Sequence, residues 1–166
     1  AVDAAEAGMA KLETLLPHLP DSVQPDLRDA DAVRRHAIVL DLVLGPRTDW
    51  FDDESLELLQ QQCWQVTQQS NRVGLRLLGE KPLQRAAGFQ GRELPSEGTA
   101  LGALQVPANG QPVLFMADHP LTGGYPVIGC LAPHHLDLAA QLPPGVFVRF
   151  KVMAPFAEIP LEGAGA

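Results

Sequence analysis

No stretch of this sequence approaches the ~20 consecutive apolar residues that a bilayer-spanning helix requires. It does not open on a basic segment followed by an apolar one, the pattern of a secretory leader, so the expected location is the cytoplasm. Basic residues are few, 12 Lys and Arg against 20 Asp and Glu, and a net charge of −8 argues against nucleic acid or an anionic membrane as partner. The basic residues are also scattered, and no run of them makes a phosphate-tracking patch. The only cysteines, Cys63 and Cys130, lie far outside any metal or redox spacing and are expected to be buried, reduced thiols. There is no G-x-x-x-x-G-K-[ST] loop, no G-x-S-x-G elbow and no Met-Lys-Met-type biotin acceptor. ATP binding by a Walker loop, serine-hydrolase chemistry of the elbow type and carriage of biotin by this chain are therefore excluded. His134 and His135 are adjacent at the start of an expected helix, so their rings should point apart, and no metal site is expected.

What is present is an ordinary globular composition, 46% hydrophobic and 19% charged over 166 residues, enough for one core. Residues 1–36 carry no strand-like alternation. Met9, Leu12, Leu15 and Leu16 recur at helical spacing, and Pro17, Pro20 and Pro25 with Asp21, Asp26, Asp29 and Asp31 read as a linker. A chain that opens this way is expected to be part of something longer. From residue 37 to about 155 the pattern changes to short strands between turns, with 156–166 as a tail. Strands are expected at Ile38 to Leu44, Trp64 to Thr67, Val73 to Leu78, Gly102 to Val106, Val113 to Ala117, Val127 to Leu131 and Val146 to Val152. Helices are expected after an Asp52 or Asp53 cap through about Gln62, and from about Pro133 to Leu142. The fold class is thus mainly β, a compact β-barrel with two or three short helices.

One segment concentrates the chemistry. Gln105-Val106-Pro107-Ala108-Asn109-Gly110-Gln111-Pro112 reads as a hairpin, because Asn109 and Gly110 both accept positive φ cheaply. The strand from Val113 then delivers Asp118 and His119 to its end, followed by Thr122-Gly123-Gly124-Tyr125-Pro126. Gly123 and Gly124 let the backbone approach a ligand and aim N–H groups at an anion; the plainer alternative is that they only turn the chain.

The string resembles the signature of the family variously called allophanate hydrolase subunit 2, urea amidolyase-related or biotin-dependent carboxyltransferase-type, and the C-subunit of 5-oxoprolinase. That family carries a block similar to G-x-[IL]-Q-V-P-x-x-G-Q-P, then a hydrophobic strand, A-D and T-G-G-Y-P. Gly102 to Pro112, Ala117-Asp118 and Thr122 to Pro126 resemble these in order. Gly45-Pro46-Arg47-Thr48-Asp49-Trp50-Phe51, Ser70-Asn71-Arg72-Val73-Gly74-Leu75-Arg76-Leu77 and Ser96-Glu97-Gly98 resemble three further blocks. Leu44, Val73 and Leu75 depart from the family's usual Pro, Met and Tyr. The resemblance covers about residues 37 to 152 and corresponds to the C-terminal half of a family member.

The resemblance implies a cyclophilin-like β-barrel. It implies partnership with a first subunit of the same family and with the missing N-terminal half, the parts together forming a carboxyltransferase-like site for a small amide, lactam or urea-like substrate. The best specific expectation is the C-subunit of a 5-oxoprolinase, serving ATP-dependent 5-oxoproline hydrolysis within a hetero-oligomer. The alternative is a regulatory or binding module resembling the antagonist of a sporulation-kinase inhibitor. No cofactor is expected on this chain itself; carboxybiotin or ATP would enter at the level of the complex, and the fragment alone is expected to be inactive.

Such chemistry needs a cation or N–H cluster for a carboxylate and an acceptor for the leaving proton. Arg72 is the candidate anchor, its fork matching a planar oxyanion; a rim ion pair is the alternative. Asp118, His119 and Glu97 are the candidate acid–base groups, with turn or loop caps as the alternative. Asn71 and Gln105 are neutral amides suited to urea or lactam edges. Tyr125, the only tyrosine, either hydrogen-bonds substrate or walls the pocket.

Overall fold

The computed structural model describes residues 29–156, and the chain divides into two compact units, residues 1–36 and 37–166. The helix expected around Met9 to Leu16 and the tail beyond Phe156 lie outside the described residues. Within the first unit, Ala30–His36 forms helix α1, where the sequence pattern suggests only a linker. Asp31 sits in its first turn and Arg34, Arg35 and His36 in its last, matching the helix dipole.

The second unit contains nine described strands: β1 (Ile38–Leu44), β2 (Trp64–Val66), β3 (Gly74–Leu78), β4 (Glu97–Gly98), β5 (Ala103–Gln105), β6 (Val113–Phe115), β7 (Thr122–Gly123), β8 (Val127–Leu131) and β9 (Phe147–Ala154). Seven of them close into a barrel in the order β1-β8-β5-β6-β3-β2-β9. β9 completes the closure by pairing in parallel with β1, Leu40 opposite Phe150, and the other barrel pairings are antiparallel. The mainly-β barrel with short helices read from the sequence is thus what the chain forms.

Alternation explains the core. On β1, Leu40 and Leu42 are buried while Val39, Asp41 and Val43 face outward; on β9, Val148 and Phe150 are buried between Arg149 and Lys151. Trp64, Leu77, Leu104, Leu114 and Ile128 complete the interior. Val73, where the strand is expected to start, is exposed, and β3 begins one residue later at Gly74. Helix α2 (Asp53–Gln61) begins where the Asp52 side chain accepts from Ser55 N–H at 2.8 Å, the expected cap. The last expected helix is shorter than its sequence suggests. It splits into a 3-10 turn over Pro133–His135 and a helix α3 of four residues, Leu136–Ala139.

Two features are not legible in the strand pattern. A second, two-stranded ribbon pairs β4 with β7. The β5–β6 hairpin is also looser than an Asn-Gly turn: Gly110 alone has positive φ, +72°, and Asn109 instead uses its Oδ1 to accept from Gln111 N–H at 3.0 Å. A Cβ on Gly110 would lie 2.4 Å from the Leu83 carbonyl oxygen, which only glycine avoids.

Candidate functional site

The strand directions define two barrel ends. At the end where β1, β3 and β9 begin and β6 and β8 finish, a cleft of about 560 Å³ opens between the β2–β3 connection, the residues after β6, and α3 with the segment beyond it. Its floor is apolar, from Leu75, Leu101, Met116 and Leu142, and its polar edge carries Ser70, Asn71, Arg72 and Asp137.

Arg72 and Asp118 meet beside this cleft in a two-pronged ion pair, Nε to Oδ2 at 2.7 Å and Nη2 to Oδ1 at 3.3 Å. Their backbones are tied as well, Asp118 N–H donating to the Arg72 carbonyl at 3.0 Å. The hydrogen bond from Arg72 holds the Asp118 carboxyl below its ordinary range, and the same contact raises the guanidinium. Asp118 therefore stays ionised at neutral pH, which suits it to orienting Arg72 and not to donating a proton. Asn71 is committed locally, its Oδ1 accepting from Val73 N–H at 2.9 Å and so closing the turn into β3.

His119 follows directly. Its ring stacks on Phe115 with centroids 5.8 Å apart, and Nδ1 lies 2.8 Å from the Pro120 carbonyl and 3.2 Å from Thr99 Oγ1. A carbonyl can only accept, so Nδ1 carries the proton in this arrangement and Nε2 is left with the lone pair. Of the three expected acid–base groups, His119 is the one whose geometry leaves a basic atom uncommitted.

Glu97, Gln105, Gly123 and Tyr125 do not join this group. They lie toward the opposite end of the barrel, where β1 finishes and β8 begins. Glu97 is paired two-pronged with Arg47, Nε to Oε2 at 3.0 Å and Nη2 to Oε1, and this hydrogen bond raises the Arg47 guanidinium. Gln105 is buried and donates through Nε2 to the Tyr125 carbonyl at 3.2 Å, while the Tyr125 ring is exposed. Neither Gly123 nor Gly124 has positive φ, so the plain-turn account of the pair fails in its usual form. Gly123 pairs with Glu97 in the ribbon, and a Cβ there would come 2.5 Å from Gln105 Nε2; Gly124 would meet only the Leu94 carbonyl at 3.5 Å. The two glycines therefore have different reasons. Gly123 makes room for the Gln105 amide, and Gly124 has space for a methyl.

Sequence reasoning passes over Arg47, although it stands in one of the motif blocks. Its signal is a guanidinium three residues before Trp50 in a turn, a natural partner for a nearby carboxylate. The apolar floor of the cleft has no local signal, because its residues come from four separate segments.

The expectation for the adjacent histidines fails geometrically. The rings of His134 and His135 are 4.4 Å apart between centroids, and both approach Asp41: His134 Nε2 is 3.0 Å and His135 Nδ1 3.9 Å from Asp41 Oδ2. The 3-10 turn, not an α-helical start, sets their directions. Among the described residues, no helix is long and apolar enough to cross a membrane.

Comparison with known proteins gives this architecture its context. The chain is 42% identical over 106 residues to the C-subunit of 5-oxoprolinase from Escherichia coli, a match covering 64% of this chain and 33% of that protein. Urea amidolyase of Saccharomyces cerevisiae is 30% identical over 146 residues, covering 84% of this chain and 8% of that much longer one. The chain thus spans about a third of the length of the bacterial relative. Among solved structures, Kluyveromyces lactis urea carboxylase superposes with a TM-score of 0.64 at 27% identity, over 69% of this chain and 11% of that one. The family model for the carboxyltransferase domain, subdomain A and B, matches residues 8–152, reaching back into the stretch with linker-like composition, and the chain belongs to that family.

Proposed function

We propose that this chain is part of a two-subunit, amide-handling enzyme of the 5-oxoprolinase type, in the role of its C-subunit. In this reading it completes, with a first-subunit partner, a carboxyltransferase-like site for a small lactam. The observation that carries the reading is the meeting of Arg72, Asp118 and the cleft at one barrel end, on a chain 42% identical over its matched length to such a protein.

Arg72 offers a planar fork to a substrate carboxylate, and Asp118 holds that fork in place until a ligand takes it over. The apolar floor matches the ring methylenes of a lactam. His119, with Nδ1 fixed by Pro120, has Nε2 as the atom able to accept a proton at an amide nitrogen. ATP is expected to bind on a partner polypeptide, and the complex is placed in the cytoplasm, where ATP is available. The test is to purify the full-length protein with its first subunit and follow 5-oxoproline consumption with and without ATP. Saturable, ATP-dependent turnover that Arg72→Ala abolishes is the expected result.

The 30% identity to a urea amidolyase over 84% of this chain favours one second reading, transfer of a carboxyl group from carboxybiotin to urea. Turnover of urea with carboxybiotin, and none of 5-oxoproline, would select it. Stable complex formation without turnover of either substrate would leave a regulatory or binding module.

A further inference from the structure

We propose that Asp41, His134 and His135 form a binding site for a zinc-type divalent transition metal on the outer wall of the barrel, apart from the cleft. The site is built by two segments. Asp41 projects outward from β1 between the buried Leu40 and Leu42. The chain leaving β8 folds back over it, with Ala132 N–H donating to the Asp41 carbonyl at 2.9 Å. Where β8 no longer pairs with β1, the His135 side chain takes the place of a strand, Nδ1 accepting from Asp41 N–H at 2.9 Å.

Three ligand atoms converge there: Asp41 Oδ2 lies 3.0 Å from His134 Nε2 and 3.9 Å from His135 Nδ1, and all three fall within 4.8 Å of one another. A tetrahedral ion with bonds of ~2.1 Å has ligand–ligand edges of roughly 3.4 Å, so these separations bracket what zinc needs. Two imidazoles and one carboxylate select zinc or its neighbours over magnesium or calcium, which prefer oxygen alone. His135 Nδ1 accepts from Asp41 N–H, so its lone pair is already turned toward Asp41, and coordination exchanges that hydrogen bond for a metal bond. Lys151 stands opposite Asp41 in the β1–β9 register, a nearby cation that weakens binding without supplying a competing ligand. His134 is largely exposed, leaving an open side for water or a fourth ligand from a partner. The turn runs straight into α3, whose Leu136 and Asp137 line the cleft, so a bound ion would fasten that wall of the cleft to β1.

The alternative is a plain Asp41–His134 ion pair. The test is titration of the tag-free, full-length protein with Zn²⁺ by calorimetry and with Co²⁺ by visible absorption. One equivalent of Zn²⁺ with micromolar or tighter affinity, and the intense visible band of tetrahedral Co²⁺, are expected. His134→Ala and Asp41→Asn should each weaken binding at least about tenfold, while His36→Ala should not. Since His135 also braces β1, the exposed His134 provides the variant in which folding is preserved. No saturable binding, or binding unchanged in the His134 and Asp41 variants, would overturn the site.

Discussion

Two arginine–carboxylate pairs mark the two ends of the barrel, and they differ in what surrounds them. Arg72 and Asp118 are 83% and 50% exposed beside an apolar cleft; Arg47 and Glu97 are each 35% exposed and bridge the turn after β1 to the ribbon strand β4. Both pairs are two-pronged, so hydrogen-bond geometry alone does not separate them. Surroundings do. An exposed pair has little net worth to folding and can be opened by a ligand, whereas a half-covered pair that joins two segments restrains them. A signature motif can therefore contribute one arginine to recognition and another to architecture, and only the neighbours reveal which.

The contrast is open to direct attack. Gly123→Ala should have the largest effect, because its methyl must push the buried Gln105 amide off the Tyr125 carbonyl; a buried donor left unpaired costs about 1–3 kcal/mol, roughly 3–10 °C in Tm for a domain of this size. Gly124→Ala should leave Tm nearly unchanged, and thermal melts of the two variants side by side check the difference. Equal losses would show that the loop, and not Gln105, sets the requirement for glycine.

Next in size, Arg72→Lys should raise KM for the carboxylate substrate about tenfold in the assembled enzyme, about 1.4 kcal/mol, with Tm held, since a point charge cannot replace the fork. Arg47→Lys should do the reverse, lowering Tm while leaving KM within about twofold, since the fork there serves packing. Kinetics and melts on the same two proteins decide; a KM effect from Arg47 alone would move the candidate site to the ribbon end.

The smallest effect concerns pH. Because Arg72 depresses the folded-state pKa of Asp118, the pair's contribution to stability is present above the ordinary carboxylate pKa of about 3.9 and is lost as pH falls through the lower folded value. An NMR titration should find the Asp118 carboxyl ionised well below its usual range in the wild type and returning toward it in Arg72→Ala. An unchanged titration would mean that the pair does not persist in solution.

Much of the fold is readable locally. The strand runs of β1, β8 and β9 and the Asp52 cap follow from short runs of β-branched and aliphatic residues between turn residues and from the preference of a carboxylate for orphan N–H groups, both properties of neighbouring residues. The ribbon of β4 and β7 is not, because two-residue strands carry no periodicity and exist only through each other. The same holds for His134 and His135: adjacency implies divergence under helical geometry, and the turn adopted instead, set by contacts to Asp41 far away in sequence, brings the rings together.

The sequence by itself determined the barrel's strands, the family to which the ordered motifs point, and the short inventory of groups able to hold an anion or move a proton. Tertiary structure decided how that inventory is divided. Arg72, Asp118 and His119 fall at one end, and Glu97, Gln105 and Gly123 toward the other, because closing the barrel sends the residues after β6 back along its wall before β8 begins. Spacing along the chain fixes which face of a strand a residue takes; only closure fixes which residues from distant strands share an end.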